Sequence, residues 1–349
     1  MLNEMGPPGS TPTQAQLRAA ALEAMESPDF YNVALANFVK PWTNVERTVF
    51  VDMNDYVATV IGSIRDGHPF DQVLTADRVY IAAPGMVPTD YAIDSNQHYR
   101  EIEMMGLDLS NDTVLVERTQ SFFHPEMNPE DTAGVTTTRA AAEAFFSAGT
   151  NRRMWRFTSL NYLCRDLEEM KDTNRAADRV RQDVSRSPGG DSAIFHTQCV
   201  GCHAGQDALA GAYAYFEWAP DEGLEGRMMH TRGQVQGKYA INTGVFPGGH
   251  ITVDNSWQNL WRSGGNAALG WSDSELGSGL GMKTLGAEVA HSRAFAVCQV
   301  QKVFEHVCFR PAQVEADATA IESIADTFEQ GYDMLGVFAD VAVHCTEGE

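Results

Sequence analysis

Residues 195–218 read FHTQCVGCHAGQDALAGAYAYFEW, and within them residues 199–203 have the spacing C-x-x-C-H. Two thiols at this spacing can reach the two vinyl groups of one porphyrin and form thioethers, while the adjacent imidazole binds the iron from one face. The motif therefore predicts one covalently bound haem c. We expect attachment through Cys199 and Cys202, with His203 as the proximal iron ligand.

Two other kinds of site use cysteines at this spacing. A thioredoxin-like redox pair needs a βαβ context, which the flanking residues do not show. A zinc site needs two further ligands, and His196 is the only near candidate. The sequence favours haem over both alternatives.

Aromatic residues close to the motif are expected to pack against the porphyrin, because burying it requires apolar surface. They are Phe195, Tyr213, Tyr215, Phe216 and Trp218, of which we assign Phe195 and Phe216 to the cofactor site. Ordinary core packing explains the same residues. Arg232 and Lys238 are candidates for pairing with the haem propionates, although solvation at the surface is the simpler interpretation.

The sequence leaves the sixth iron ligand open. Met282 is the first candidate, because its Gly-flanked loop before a C-terminal helix resembles the place where small cytochromes c present a distal methionine. His230 is the second candidate, and its neighbours Met228 and Met229 follow. Met or His at this position suits electron transfer, whereas an open position invites peroxide or oxygen chemistry.

Four further cysteines, Cys164, Cys298, Cys308 and Cys345, allow three disulfide pairings. On one continuous helix Cys298 and Cys308 would lie about 15 Å apart, beyond the roughly 4.4 to 6.8 Å that a disulfide spans between Cα atoms. These two are therefore expected not to pair. If the thiols are not simply free and buried, we favour Cys298–Cys345 with Cys164–Cys308. The exchanged pairing, Cys164–Cys298 with Cys308–Cys345, stays open.

Covalent haem attachment and the further cysteines indicate an oxidising compartment outside the cytoplasm. The N-terminal sequence MLNEMGPPGS has neither a basic nor an apolar signal region, so we expect the numbering to start after a removed signal peptide. Residues 1–13 contain three Pro and two Gly and predict a mobile tail. The expected location is periplasmic or extracellular.

The charge of the chain limits its partners. Its 349 residues include 25 Lys and Arg against 47 Asp and Glu, for a formal net charge of −22. This excess of carboxylates repels nucleic-acid phosphates and anionic lipid surfaces, and it steers the protein toward basic docking surfaces on partner proteins. The sequence contains no run of about 18 apolar residues, so it predicts no membrane span.

Hydrophobic periodicity predicts a mainly α protein. We expect a mostly helical N-terminal domain over residues 14–184. A haem c domain with long irregular loops and C-terminal helices should follow over residues 185–349. Two short β-like runs, Val79–Ala82 and Val114–Val116, interrupt the first domain. A strong helical stretch is expected from about Thr137 to Met170, with an interruption expected near Gly149-Thr150-Asn151. A single helix is expected to carry Val289 through Val307.

With these residues in view, the chain resembles the planctomycete-type cytochrome proteins, in which one haem motif lies between helical modules. The haem segment of that family continues C-x-x-C-H-x-x-M-D-P-x-G, and this chain has Gln206, Ala208 and Ala210 in place of the Met, Pro and Gly. The residues that fit are Cys199, Cys202, His203, Asp207, Phe216 and Glu217, and in the C-terminal module Arg293, Phe295, Cys298, Lys302 and Arg310. The resemblance implies export and haem, but no particular substrate or reaction.

Three functional hypotheses follow. The first is a mono-haem cytochrome c that transfers one electron at a time, with Met282 or His230 as the distal ligand. The second is a peroxidase-like haem enzyme with an open sixth site. The third is a structural or self-assembling cytochrome subunit, because 349 residues exceed what one haem requires. The sequence favours electron transfer over catalysis.

Overall fold

Helices dominate the regular structure of this protein. The computed structural model describes residues 12–147, 149, 151–220 and 225–347, so the predicted tail lies outside the described residues except for Pro12 and Thr13. In chain order the α-helices are α1 (Gln14–Ala24), α2 (Ala36–Val39), α3 (Asp55–Arg65), α4 (Gln97–Met104), α5 (Gln120–Phe123), α6 (Arg139–Phe145), α7 (Arg152–Tyr162), α8 (Ser192–Ile194), α9 (Val200–Leu209), α10 (Gly281–Ala290), α11 (Arg293–Val307), α12 (Glu315–Phe328) and α13 (Met334–Glu347). Short 3-10 and π-helical turns join several of them. The mainly α prediction is confirmed.

The strands form three separate antiparallel pairs. They are β1 (Val79–Ala82) with β2 (Leu115–Arg118), β3 (Phe216–Ala219) with β4 (Arg227–His230), and β5 (Ser256–Gln258) with β6 (Ser278–Leu280). The first β-like run of the sequence coincides with β1, and the second overlaps β2. Between β4 and α10 the chain outside β5 and β6 consists of turns, short 3-10 helices and irregular segments, as its Gly-rich sequence predicts.

Two clusters of buried apolar side chains hold the elements together. The larger takes members from both halves of the chain, including Val60, Phe145, Phe295 and Phe338. Helix α1 packs on α13, which also packs on α11 and α12, so the first and last described helices meet. The smaller cluster surrounds the start of α9 and consists of Val180, Val184, Phe195, Val200 and Ala204. The C-x-x-C-H motif is therefore supported by a small core of its own.

One helical prediction is confirmed in part and another is wrong. The stretch predicted from Thr137 to Met170 is two helices, α6 and α7, and it divides where an interruption was expected, because Asn151 adopts a left-handed conformation with φ 60°. Helix α7 ends at Tyr162 rather than at Met170. The Asn151 amide donates to the carbonyls of Tyr213 and Phe216, which fixes the break. The helix predicted from Val289 to Val307 is also divided, because the Ser292 side chain accepts from the Phe295 amide and starts α11 as a new helix.

The four cysteines outside the motif form two disulfides. Cys164 bonds to Cys298 with 5.2 Å between their Cα atoms, and Cys308 bonds to Cys345 with 5.6 Å. Disulfide bonding and the separation of Cys298 from Cys308 are confirmed. The favoured pairing was wrong, and the exchanged pairing is present, because Cys308 ends α11 beside α13 while Cys298 faces the end of α7.

Helix lengths bear on membrane insertion. The longest helix in the described residues, α11, has 15 residues, whereas a bilayer needs about 20 apolar ones. No helix in this part of the chain is long and apolar enough to span a bilayer. This agrees with the sequence prediction of no membrane span.

His291, at the end of α10, joins two distant segments through its imidazole. Its Nδ1 lies 2.7 Å from Glu275 and its Nε2 lies 3.3 Å from Asp71. The hydrogen bond to Asp71, reinforced by that to Glu275, raises the pKa of His291 to about 9 despite partial burial. The charged imidazole therefore links Glu275, in the Gly-rich segment before α10, to Asp71 in the N-terminal half of the chain.

We expect His291→Gln to lose a contribution to stability that depends on pH. Because the folded pKa is raised, this contribution is fully present below about 6.5 and disappears as the pH rises through about 9. Urea unfolding of the wild type and the variant should differ most near pH 6 and converge near pH 10. His196→Gln, at an exposed position, is the control. An equal difference in the free energy of unfolding at both pH values would contradict the predicted role of the charged His291 imidazole.

Candidate haem site

The three groups of the motif lie on one face of one helix. Cys199 precedes α9 directly, and the spacing i, i+3, i+4 places Cys202 and His203 on the same side. All three side chains are partly exposed, whereas Val200 and Ala204 point into the small core. The opposite side of α9 lies very close to Trp261, because a Cβ on Gly205 would be 2.2 Å from its Nε1 atom. The helix therefore has one packed side and one side open to a ligand.

The two motif thiols are chemically available. Both are free, whereas the other four cysteines are paired. The Cys202 Sγ atom lies 3.5 Å from the Leu167 carbonyl oxygen, and burial raises the pKa of this thiol. Two free thiols one helical turn apart are the groups that two thioether bonds require. This pair fits covalent haem.

His203 is oriented by Asp207. Its Nδ1 lies 3.4 Å from the Asp207 Oδ1 atom one turn further along α9, and no described residue hydrogen-bonds its Nε2. Imidazoles that bind metals commonly use the other ring nitrogen for such a contact, which fixes the tautomer and raises the basicity of the metal-binding atom. The donor set of α9 therefore fits an iron ligand at Nε2.

Asp207 is the centre of a buried charge network. Its carboxylate accepts from Arg152 at 2.5 and 2.9 Å, and from the Arg181 backbone amide at 3.0 Å. Arg152 also binds Asp183 through two hydrogen bonds. Burial raises the pKa of Asp207, but the hydrogen bond from His203 and the charges of Arg152 and Arg181 outweigh it and hold this pKa well below its usual range. The carboxylate behind His203 is therefore ionised.

The two aromatic residues assigned to the cofactor lie in different places. Phe195 is 1% exposed and belongs to the small core beside Cys199, under the Arg186 guanidinium. Phe216 is equally buried but belongs to the large core, where its ring lies 4.6 Å from that of His230. The structure brings Phe195 to the motif and Phe216 to His230.

The two candidates for the sixth ligand are both buried. Met282 is the second residue of α10 rather than part of a loop, because Gly281 with φ 72° turns the chain from β6 straight into that helix. Both ring nitrogens of His230 face partners, with Nδ1 3.0 Å from the Glu126 carbonyl and Nε2 3.8 Å from Asp131. Among the named helices and strands, α9 packs on α7 and β5, α10 packs on β6, β5 and α11, and β4 packs on β3 and α6.

The other residues noted in the sequence have local partners. Arg232 pairs with Asp131 at the surface. Lys238 donates to the Phe146 carbonyl, and burial lowers its pKa to about 8. Tyr213 is buried beside Phe146. These contacts explain the residues without a ligand.

The zinc alternative lacks further ligands at the motif. In the described part of the chain, one group of three His, Cys, Asp or Glu side chains lies close enough to share a metal ion, and it consists of Asp66, His68 and Glu117. His196 is exposed and does not join Cys199 and Cys202 in such a group.

A cavity of about 390 Å³ reaches α9 at Gln206, and none of Cys199, Cys202 and His203 lines it. Gln206 follows His203 by three residues on α9. The remaining lining residues of the cavity are Val45, Arg152, Arg153, Arg156, Phe157 and Leu167. The lining combines apolar and basic side chains.

Comparison with known proteins finds no counterpart, because no family model, curated protein sequence or solved structure matches the chain. The resemblance to the planctomycete-type cytochromes stays a prediction.

Sequence reasoning missed the support behind the motif. Asp207 carried a usable signal, because a carboxylate four residues after a histidine on a helix lies on the same face. Arg152 is 55 residues from Asp207 in sequence, and nothing in the sequence joins the two. The cavity is equally hidden, because Val45 and Leu167 come from segments far apart in the chain.

Proposed function

We propose that this chain is an exported mono-haem c-type cytochrome that transfers single electrons. One observation carries the proposal: α9 presents two free thiols and an imidazole on one face, and that imidazole is held through Nδ1 by a buried carboxylate. The C-x-x-C-H spacing supports the same cofactor. Export is proposed because thioether attachment and two disulfides both belong to oxidising compartments.

Each residue of the motif has a distinct task. The Cys199 and Cys202 thiols would hold the porphyrin by adding across its two vinyl groups, sulfur bonding to one carbon and the proton passing to the other. His203 would bind iron through Nε2, and Asp207 would hold the Nδ1 proton in place. When bound, haem would supply an iron that exchanges one electron between its ferric and ferrous states.

The acidic surface supports a role in transfer between proteins. A net charge of −22 attracts basic docking surfaces and accelerates their encounter with the chain. The attraction weakens with ionic strength. Redox partners with basic patches are therefore the proposed electron donors or acceptors.

The proposal also includes a two-domain arrangement, with a cytochrome-like domain at the C-terminal end.

A haem enzyme with an open sixth site is the second candidate. One observation favours it: both ring nitrogens of His230, one of the two candidates for the sixth ligand, already face partners, the Glu126 carbonyl and Asp131. An ionised carboxylate behind the proximal histidine also increases electron donation to the iron, which suits peroxide chemistry.

A visible absorption spectrum of the purified protein tests the proposal. We expect sharp reduced bands from a pigment that acid extraction does not remove, and a Cys199→Ser/Cys202→Ser variant should lose any pigment on extraction. Bands unmoved by CO support electron transfer, whereas a CO shift selects the open-site enzyme. A colourless protein from an expression host that attaches haem c would overturn both candidates.

A further inference from the structure

A separate cavity, of about 330 Å³, lies in the N-terminal half of the chain, and no residue of the C-x-x-C-H motif lines it. Its volume falls within the range of roughly 300 to 1,000 Å³ that ligand pockets occupy. Its walls come from β1 and the loop that follows it, and from α4, β2 and α5. These neighbouring elements enclose one space large enough for a small organic molecule.

Aromatic rings form one side of this cavity. Phe123 packs edge-to-face on Tyr91, with 4.7 Å between the ring centroids, and on Phe122, with 5.1 Å. Phe123 and Tyr91 are half-buried, whereas Phe122 is 78% exposed. Aromatic rings gain stability by packing on one another edge-to-face or offset. The exposed ring of Phe122 therefore offers a surface on which the ring of a ligand can pack.

Two charged side chains of opposite sign line the same cavity. They are Asp90, in the loop after β1, and Arg118, at the end of β2. Arg118 donates to the Glu117 carbonyl at 2.7 Å. Across the described ranges of the chain, Asp90 and Arg118 form no ion pair, either with each other or with another residue. Both charges are therefore available to a ligand.

The loop that carries Asp90 is held in place by β1 and α4. The His98 Nδ1 atom lies 2.8 Å from the Thr89 carbonyl oxygen, and its Nε2 accepts from the Ala82 amide at 3.0 Å. The Glu101 carboxylate accepts from the Thr89 amide and hydroxyl at 2.7 and 2.8 Å. Asp90 therefore follows a fixed residue, and a preorganised site loses less entropy when it binds a ligand.

We infer that this cavity binds a small aromatic zwitterion, and a free aromatic amino acid has the chemistry that fits it. The ligand carboxylate pairs with Arg118, its ammonium group pairs with Asp90, and its ring packs on Phe122. Arginine binds carboxylates through charge-assisted hydrogen bonds. An aromatic acid without the ammonium group leaves Asp90 unpaired, and an aromatic amine leaves Arg118 unpaired. The inference goes beyond the proposed function, because it requires no haem.

Isothermal titration calorimetry of the full chain with phenylalanine tests the inference. Three analogues each lack one group: phenylpropionate lacks the ammonium group, phenethylamine lacks the carboxylate, and alanine lacks the ring. Each should bind about tenfold more weakly than phenylalanine, because it loses a charged hydrogen bond or an aromatic contact. No binding of phenylalanine at millimolar concentrations would overturn the inference, and so would equal dissociation constants for phenylalanine and phenylpropionate.

Three substitutions assign the groups of the ligand to their partners. Arg118→Gln should weaken the binding of phenylalanine about tenfold without weakening that of phenethylamine. Asp90→Asn should weaken the binding of phenylalanine without weakening that of phenylpropionate. Phe122→Ala should weaken all three aromatic ligands. All three side chains are exposed, so the variants should fold, and their thermal unfolding midpoints check this.

Arg165→Gln and Met104→Ala are the matched controls. Both side chains are exposed, and neither lines the cavity. These variants should bind phenylalanine like the wild type. If phenylalanine binds but Arg118→Gln and Asp90→Asn leave its dissociation constant unchanged, the ligand occupies another place and the inference is wrong. None of these measurements depends on pigment, so failure of the inference would leave the proposed function standing.

Discussion

Replacing Asp207 by Asn is expected to lower the free energy of unfolding by about 3 to 5 kcal/mol, the usual cost of removing one partner from a buried ion pair. The Asp207 side chain is fully buried and binds Arg152 through two hydrogen bonds. The variant leaves the Arg152 guanidinium with Asp183 alone, and it turns a neutral amide toward His203. Urea unfolding at pH 7 measures this loss.

The same variant is expected to raise the haem midpoint potential, because a neutral amide no longer increases the basicity of the proximal imidazole. Asp183→Asn is the matched control, since Asp183 binds the same Arg152 but contacts no motif residue. It should lose stability while leaving the potential close to that of the wild type. Equal shifts of the potential in both variants would mean that Asp207 acts through Arg152 rather than through His203.

Removal of the Cys164–Cys298 disulfide by a double Ala substitution is the second large expected effect. The bridge joins residues separated by 134 positions. The chain-entropy relation gives roughly 5 kcal/mol for a closure of this length, and measured losses of native disulfides reach about 5 kcal/mol. Cys298 is also 1% exposed, so truncating it leaves a small cavity that adds to the loss.

The Cys308–Cys345 bridge provides the comparison. It closes only 37 residues, for which the same relation gives roughly 4 kcal/mol. Denaturant unfolding of both double-Ala variants should therefore rank the longer closure as the more stabilising. The reverse order would show that packing around α11 and α13, rather than restriction of the unfolded chain, decides the contribution of each bridge.

Local features of the sequence predicted local features of the structure well. Strand β1 matches its β-like run, and the helical character of both ends follows from the spacing of residues such as Val60 and Phe295. These signals depend only on neighbours within a few positions, and the hydrophobic period encodes them directly.

Features that depend on distant residues could not be predicted. The favoured disulfide pairing failed because Cys298 lies beside Cys164 through the packing of α11 against α7, which no spacing encodes. The sequence predicts the interruption near Asn151 but not the contacts that fix it, which are with the carbonyls of Tyr213 and Phe216, more than 60 positions away. The charge network behind His203 required Arg152 for the same reason. Tertiary contacts decided each of these outcomes.

The Cys164–Cys298 bridge also affects how the protein would respond to a protease. Residues 165–297 contain the whole haem motif and two of the three strand pairs. A single backbone cut anywhere in that segment leaves the two fragments covalently joined. A nicked molecule would keep its mass and its pigment on a non-reducing gel, and only a thiol reductant would separate the pieces. A backbone cut in the irregular loops after β3 would therefore not release the fragment that carries the C-x-x-C-H motif.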